Sequence, residues 1–127
     1  MQFNQQKPIY LQIADYIIDQ ILSGNWIDGS RIPSIRDMAI EMEVNPNTVT
    51  RTYAYLQEQD VISIQRGIGY FTNEQAAQKV RSIRKKEFIR EGIPELIHTM
   101  RLIHMSIEEF NDLYNQYNSG SKLYENE

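Results

Sequence analysis

The chain contains no cysteine, which excludes disulfides, thiolate metal sites, iron–sulfur clusters and cysteine nucleophiles and leaves stability to packing. Histidine is nearly absent too. His98 and His104 are six residues apart, a spacing that does not set them on one helix face as a metal pair requires, so both read as ordinary surface or interface residues. No apolar run approaches the ~20 residues that cross a bilayer. Met1 to Lys7 is polar and lacks an apolar stretch with a small-residue cleavage site, which predicts a cytoplasmic protein. Gly67 and Gly69 make no nucleotide loop, because the strand, glycine-rich turn and helix that such a loop needs do not occur in that order. Glu108, Glu109 and Asp112 cluster near the end, but helix capping and solubility account for them without a metal or acid–base chemistry. Nothing here points to catalysis, a metal or a cofactor.

Positive charge is also scarce, with 13 Lys and Arg against 17 Asp and Glu for a net charge of −4. A nucleic-acid partner needs local positive charge, so that balance argues against one unless the few cations converge on one face. The distribution is uneven: residues 1–72 carry 5 basic against 8 acidic side chains, residues 73–91 carry 6 against 3, and residues 92–127 carry 2 against 6.

What is present is a succession of amphipathic patterns. At 127 residues there is room for one ordinary domain and a modest helical appendage, and no separate substrate domain fits. From Pro8 to Ser23, Ile9, Ile13, Ile17 and Ile21 recur every four residues, which predicts a helix with proline in its first turn and Gly24 as a left-handed C-terminal cap. Asn25–Pro33 reads as a loop that tucks Trp26 and Ile27 into the core, with Asp28-Gly29 as turn chemistry. Ser34 and Asp37 form a capping box that opens a short helix ending near Glu43, with Met38, Ala39 and Met42 inward. Asn45-Pro46 opens a third helix, to about Gln59, with Val49, Tyr53 and Leu56 inward. Two helices joined by so tight a turn make a helix-turn-helix.

Beyond Asp60 the period falls to two. Ile62 and Ile64 alternate with Ser63 and Gln65, Arg66-Gly67-Ile68-Gly69 turns, and Tyr70-Phe71-Thr72 returns, predicting a β-hairpin that serves as a wing. Residues 74–117 are helical by pattern, with a kink or boundary at Pro94 and a last helix opened by Ser106 and Glu109. The fold class is therefore mainly α with a small β-hairpin: a winged helix-turn-helix over 1–73, a short helical dimerisation region over 74–117, and a disordered tail over 118–127.

Asn47, Thr48, Thr50 and Arg51 occupy the outer face of the third helix, whose counterpart in a helix-turn-helix enters the major groove of DNA. Taken alone they would cap the helix and face solvent; beside a wing, the DNA reading becomes the better one. Arg36 can reach phosphates flanking the groove, and Ser34 can add a phosphate contact, although capping is its primary role. In the wing, Arg66 stands with Gly67 and Gly69, where the backbone can approach a minor groove or a phosphate closely. The basic run Lys79, Arg81, Arg84, Lys85, Lys86 and Arg90 is first of all a solvated helix face; it can also extend the phosphate contacts or pair with an acidic tail of a second subunit.

Three stretches carry a family resemblance: Gly24 through Ala39, reading GNWIDGSRIPSIRDMA; Val44 through Tyr53, reading VNPNTVTRTY; and Gln65-Arg66-Gly67-Ile68-Gly69. Together they resemble the GntR family of bacterial regulators over about residues 8–72, and Asn45-Pro46-Asn47-Thr48-Val49 with the short helical tail resembles its YtrA-type subfamily. The resemblance implies a homodimer on a two-fold-related double-stranded DNA operator, with Arg36, Asn47, Thr48, Arg51 and the Arg66-Gly67 wing contacting DNA. It also implies repression of a neighbouring operon, often one for an ABC-type transporter. The chain departs from the family pattern at Asp28, where proline is common, and at Ile35, where an acidic residue is common, and neither removes an expected DNA contact; at Thr50 other branches place arginine, which implies groove contacts that are fewer or differently distributed there.

The dimer seam is expected along Ile89, Ile93, Leu96, Ile97, Met100, Ile103, Ile107, Phe110, Leu113, Tyr114 and Tyr117. Folding of the last helix back onto its own chain is the competing arrangement. Two other functions stay open: a winged-helix protein–protein adaptor that reads no DNA, and a regulator that senses a small-molecule effector in a pocket between tail helices.

Overall fold

The computed structural model describes residue 3 and residues 6–117, so the expected tail over 118–127 lies outside the described residues. Helix α1 (Ile9–Leu22) follows Pro8, whose missing N–H costs nothing at a helix start, and Gly24 (φ +83°) provides the left-handed turn that ends it. Ile13, Ile17, Ile18 and Ile21 are buried, whereas Ile9, the first member of the expected stripe, is exposed.

Helix α2 (Ile35–Met42) starts at Ser34, whose Oγ accepts the Asp37 N–H at 3.1 Å, and stops at Glu43 in a left-handed conformation (φ 57°). Helix α3 (Pro46–Glu58) starts where the Asn45 side chain accepts the Asn47 N–H at 2.8 Å. Both starts are satisfied locally by a side chain, which is why they were readable three residues at a time. Val49, Tyr53 and Leu56 of α3 meet Met38, Ala39 and Met42 of α2 in one core with α1.

The hairpin is present as β2 (Ile62–Gln65) and β3 (Gly69–Thr72), paired antiparallel with Ile62 opposite Thr72 and Gln65 opposite Gly69. It has a third member that was read as loop: Arg31–Ile32 forms β1, pairing with β3 so that the sheet order is β1-β3-β2. A two-residue strand has no periodicity of its own; its pairing with Tyr70 and Phe71 creates it. The buried Thr72 ties the same loop down, donating to the Ile27 carbonyl at 2.7 Å and accepting the Ser30 N–H at 2.9 Å. Those bonds hold the backbone of Ile27 and turn its side chain outward, 68% exposed, so only Trp26 packs on the core as expected. Ile64 likewise points to solvent, because β2 buries one position of its alternation, Ile62.

The described residues form two compact units, one up to Arg84 and one from Lys85 onward. The first reaches past the boundary at 73 read from sequence. In α4 (Ala76–Glu87), Ala76 and Val80 bury in the core, and Arg84 pairs with Asp19 at 2.7 Å and Asp15 at 3.6 Å. Arg84 is thus committed to α1, apart from the solvated basic run. Asp28, one of the departures from the family pattern, accepts the Ala77 N–H at 3.0 Å in the first turn of α4.

The second unit begins in the last residues of α4, continues as a π-helical turn at Phe88–Gly92, and then forms α5 (Ile93–Leu102) and α6 (Ile107–Tyr117). Pro94 sits in the first turn of α5, the boundary expected of it. The Phe88 ring lies over Gly92, where a Cβ would overlap it unless the ring moved. Ser106 Oγ accepts the Glu109 N–H at 3.1 Å and opens α6.

Candidate nucleic-acid interface

The inner face of α3 explains its outer face. Val49, Tyr53 and Leu56 are consumed by the core, which turns Asn47, Thr50 and Arg51 to solvent and leaves Thr48 half-buried. Tyr53 anchors the helix: its hydroxyl donates to the Pro33 carbonyl at 2.6 Å just before α2, and its ring meets Tyr70 of β3 edge-on at 4.8 Å. Burial pushes the Tyr53 hydroxyl pKa well above the ordinary tyrosine range, with the nearby Tyr70, Glu41 and Asp37 adding to the rise. It is therefore a neutral donor that links the start of α2, α3 and the wing.

The polar groups of α3 are not equally available. The Thr50 hydroxyl donates to the Pro46 carbonyl at 3.0 Å, and Ser34 is engaged in its cap; both residues are exposed and keep acceptor capacity. Two open clefts flank the first turn of α3. One, of about 430 Å³, lies between Arg36, Ile40 and Asn45-Pro46; the other, of about 320 Å³, lies between Pro8-Ile9-Tyr10 and Asn47, Thr48 and Arg51. The structure thus gathers Arg36, Asn47, Thr48 and Arg51 around one helix start.

The charge balance is resolved by pairing. Of the five basic residues in 1–72, Lys7 bonds Asp15 at 2.6 Å, while Arg31, Arg36, Arg51 and Arg66 are exposed and, among the described residues, held by no ion pair. Acidic groups outnumber cations in this unit without neutralising these four.

In the wing, Gly67 (φ +76°) and Gly69 (φ +150°) adopt backbone conformations that side chains oppose, which closes the turn beside the exposed Arg66. Sequence reasoning missed the residue that supports this turn. Arg31 of β1 donates from Nη2 to the Ile68 carbonyl at 2.6 Å, and a Cβ on Gly69 would come within 3.1 Å of its Nε. It also missed Tyr10, whose ring lies under the Arg51 guanidinium carbon at 4.0 Å. Both contacts join residues about forty positions apart, beyond any local pattern.

The expected seam residues lie in the second unit in three states. Met100 is buried, Ile93, Leu96, Phe110 and Leu113 are half-buried, and Ile89, Ile97, Ile103, Ile107, Tyr114 and Tyr117 are exposed. His98 and His104 are exposed, and among the described residues no cluster of three or more histidines and carboxylates could hold a metal. No helix among them is long and apolar enough to cross a membrane.

The pattern of the bacterial regulatory proteins of the gntR family matches residues 9–71, spanning α1 through the wing. Over 108 residues the chain is 36% identical to the uncharacterized HTH-type transcriptional regulator YhcF of Bacillus subtilis, covering 85% of this chain and 88% of that one. The chain belongs to the GntR family. It is a DNA-binding transcription regulator, of a class that is not enzymatic. This GntR regulator is also 28% identical over 115 residues to the HTH-type transcriptional repressor YtrA of Bacillus subtilis, covering 91% of this chain and 88% of that one. Among solved structures, a GntR-family regulator from Bacteroides thetaiotaomicron superposes with a TM-score of 0.74 at 39% identity, over 90% of this chain and 99% of that chain. The likeness to these proteins extends through the helical tail as well as the winged helix.

Proposed function

We propose that two copies of this regulator join through their second units and bind a two-fold-related operator, each placing the outer face of α3 in a major groove. The carrying observation is the set of exposed arginines that no ion pair holds among the described residues: Arg36 and Arg51 beside the start of α3, and Arg66 in the wing. Asn47, Thr48 and Thr50 supply amide and hydroxyl groups to base edges or phosphates, and Ser34 adds a phosphate contact at the start of α2. Gly67 and Gly69 let the wing backbone approach the duplex, with Arg66 on phosphate or in the minor groove. Exposed Ile89, Ile97, Ile103, Ile107, Tyr114 and Tyr117 support the dimer, since an apolar surface of this kind left in water favours association. In a two-fold dimer the recognition helices meet successive major grooves about 34–36 Å apart. The likeness to the repressor YtrA supports repression, and we place the target in a neighbouring operon of transporter type.

The test is fluorescence anisotropy against duplexes that include the promoter of its own operon, at several salt concentrations, beside an Arg36→Ala, Arg51→Ala variant. Selective binding that weakens with salt and disappears in the variant is the expected result. An intact dimer that selects no duplex would sink the proposal in favour of a protein–protein adaptor or a regulator that first needs a ligand.

A further inference from the structure

Arg51 is exposed and, among the described residues, held by no ion pair, and its guanidinium carbon lies 4.0 Å from the centroid of the Tyr10 ring. We propose that Tyr10 is a positioning residue for DNA reading, its ring holding the Arg51 guanidinium in place on the outer face of α3. The inference rests on the DNA-reading face proposed above. A guanidinium stacked on an aromatic face keeps its in-plane N–H donors free, so the ring orients the cation without consuming the bonds it offers to phosphate or base. A carboxylate partner would orient Arg51 too, but would neutralise the charge that binding needs.

The platform is itself fixed. The buried Thr52 donates from Oγ1 to the Tyr10 carbonyl at 2.7 Å, pinning the first turn of α1 to α3 one residue along from Arg51. Tyr55, one helical turn further on, meets the Tyr10 ring edge-on at 6.5 Å. Both contacts hold the Tyr10 backbone and ring independently of Arg51. A lone arginine on a helix surface samples many rotamers and must surrender that freedom on docking; the ring removes much of it beforehand. The stacked pair borders the same cleft as Asn47 and Thr48, so the oriented guanidinium stands beside the other polar groups of the α3 start.

The probe is the duplex that the wild-type protein selects from a randomised pool, and affinity is measured by anisotropy at several salt concentrations for Tyr10→Phe, Tyr10→Leu, Arg51→Ala and the Tyr10→Leu, Arg51→Ala double variant. Tyr10→Phe keeps the ring and binds as wild type, whereas Tyr10→Leu weakens binding about threefold. Arg51→Ala weakens it about tenfold and reduces the salt slope by about 1. The double variant binds no worse than Arg51→Ala, because a ring with no cation to hold has no further effect. In the free wild-type protein, NMR is expected to show the Arg51 side-chain resonances displaced by the ring, a displacement that should be lost in Tyr10→Leu. Losses that multiply in the double variant would mean that Tyr10 acts only through the fold; a loss in Tyr10→Phe would mean that its hydroxyl binds DNA itself; undisplaced Arg51 resonances would mean that the pair does not form. Each overturns the inference while DNA reading stands. A wild-type protein that selects no duplex overturns the DNA reading and this inference together.

Discussion

The first unit gathers a buried apolar core, with a few side chains such as Ile9, Ile27 and Ile64 left outside it, and the second has almost no such core. Ile13, Ile17, Met38, Val49, Tyr53, Leu56, Val61 and Val80 are fully buried in the first unit, drawn from four helices and the segment that leads into β2. In the second, Met100 alone among the described residues is buried, while Ile103 and Ile107 remain 60% and 59% exposed. Geometry accounts for the difference. Four helices packed together with a small sheet enclose a core, whereas a short succession of helices presents an apolar stripe that needs a second surface against it. The first unit is expected to be stable by itself, and the second to depend on association.

The largest test of that contrast is to open the closed core. Tyr53→Ala empties a fully buried site and strands the Pro33 carbonyl, so it should lower stability by about 3–5 kcal/mol in chemical denaturation. A loss under 1 kcal/mol would contradict the account of Tyr53 as the anchor of α3.

Next comes the open face. Ile103→Asp with Ile107→Asp places charge on exposed positions and should yield a monomer by light scattering at micromolar concentration, with the first unit still folded. Loss of the second half-site contact should then lower operator affinity on the order of 100-fold. A variant that stays dimeric would move the interface elsewhere.

Smaller still is Arg51→Ala, expected to lower operator affinity about tenfold with unfolding unchanged, since an exposed cation with no ion pair contributes little to the fold. A shifted unfolding midpoint would assign Arg51 a structural role in the first unit. The mildest is Ser34→Ala, which leaves the Asp37 N–H without its cap and should cost about 1 kcal/mol. Ser34→Thr keeps a hydroxyl and should restore most of that loss; an equal loss in Ser34→Thr would show that the side-chain oxygen is not the stabilising group.

The two units also differ in how far sequence reading reached. In the first, the helices, both caps of the helix-turn-helix and the hairpin were visible, and so were the exposed faces of α3 and the wing turn. What escaped was β1, the outward turn of Ile27, and the extension of the core through Ala76, Val80 and Arg84. In the second, the apolar stripe and the start of α6 were visible. The π-helical turn at Phe88–Gly92 was not, because nothing in the spacing of its apolar residues distinguishes it from the α-helices on either side.

By itself the sequence determined whatever is decided within one or two helical turns: the stripe of α1, the cap from Ser34 to the Asp37 N–H, the Asn45-Pro46 start of α3, and the alternation that ends in Gly67 and Gly69. Those features depend on backbone groups three or four residues apart, so neighbouring letters carry them. Only the tertiary structure decided which cations are free and what holds them: Arg84 drawn to Asp15 and Asp19, Arg31 set under the wing at the Ile68 carbonyl, and Arg51 laid on Tyr10. A charged side chain can pair with any partner within its reach, and which partner comes within reach is settled by how the core brings distant segments together.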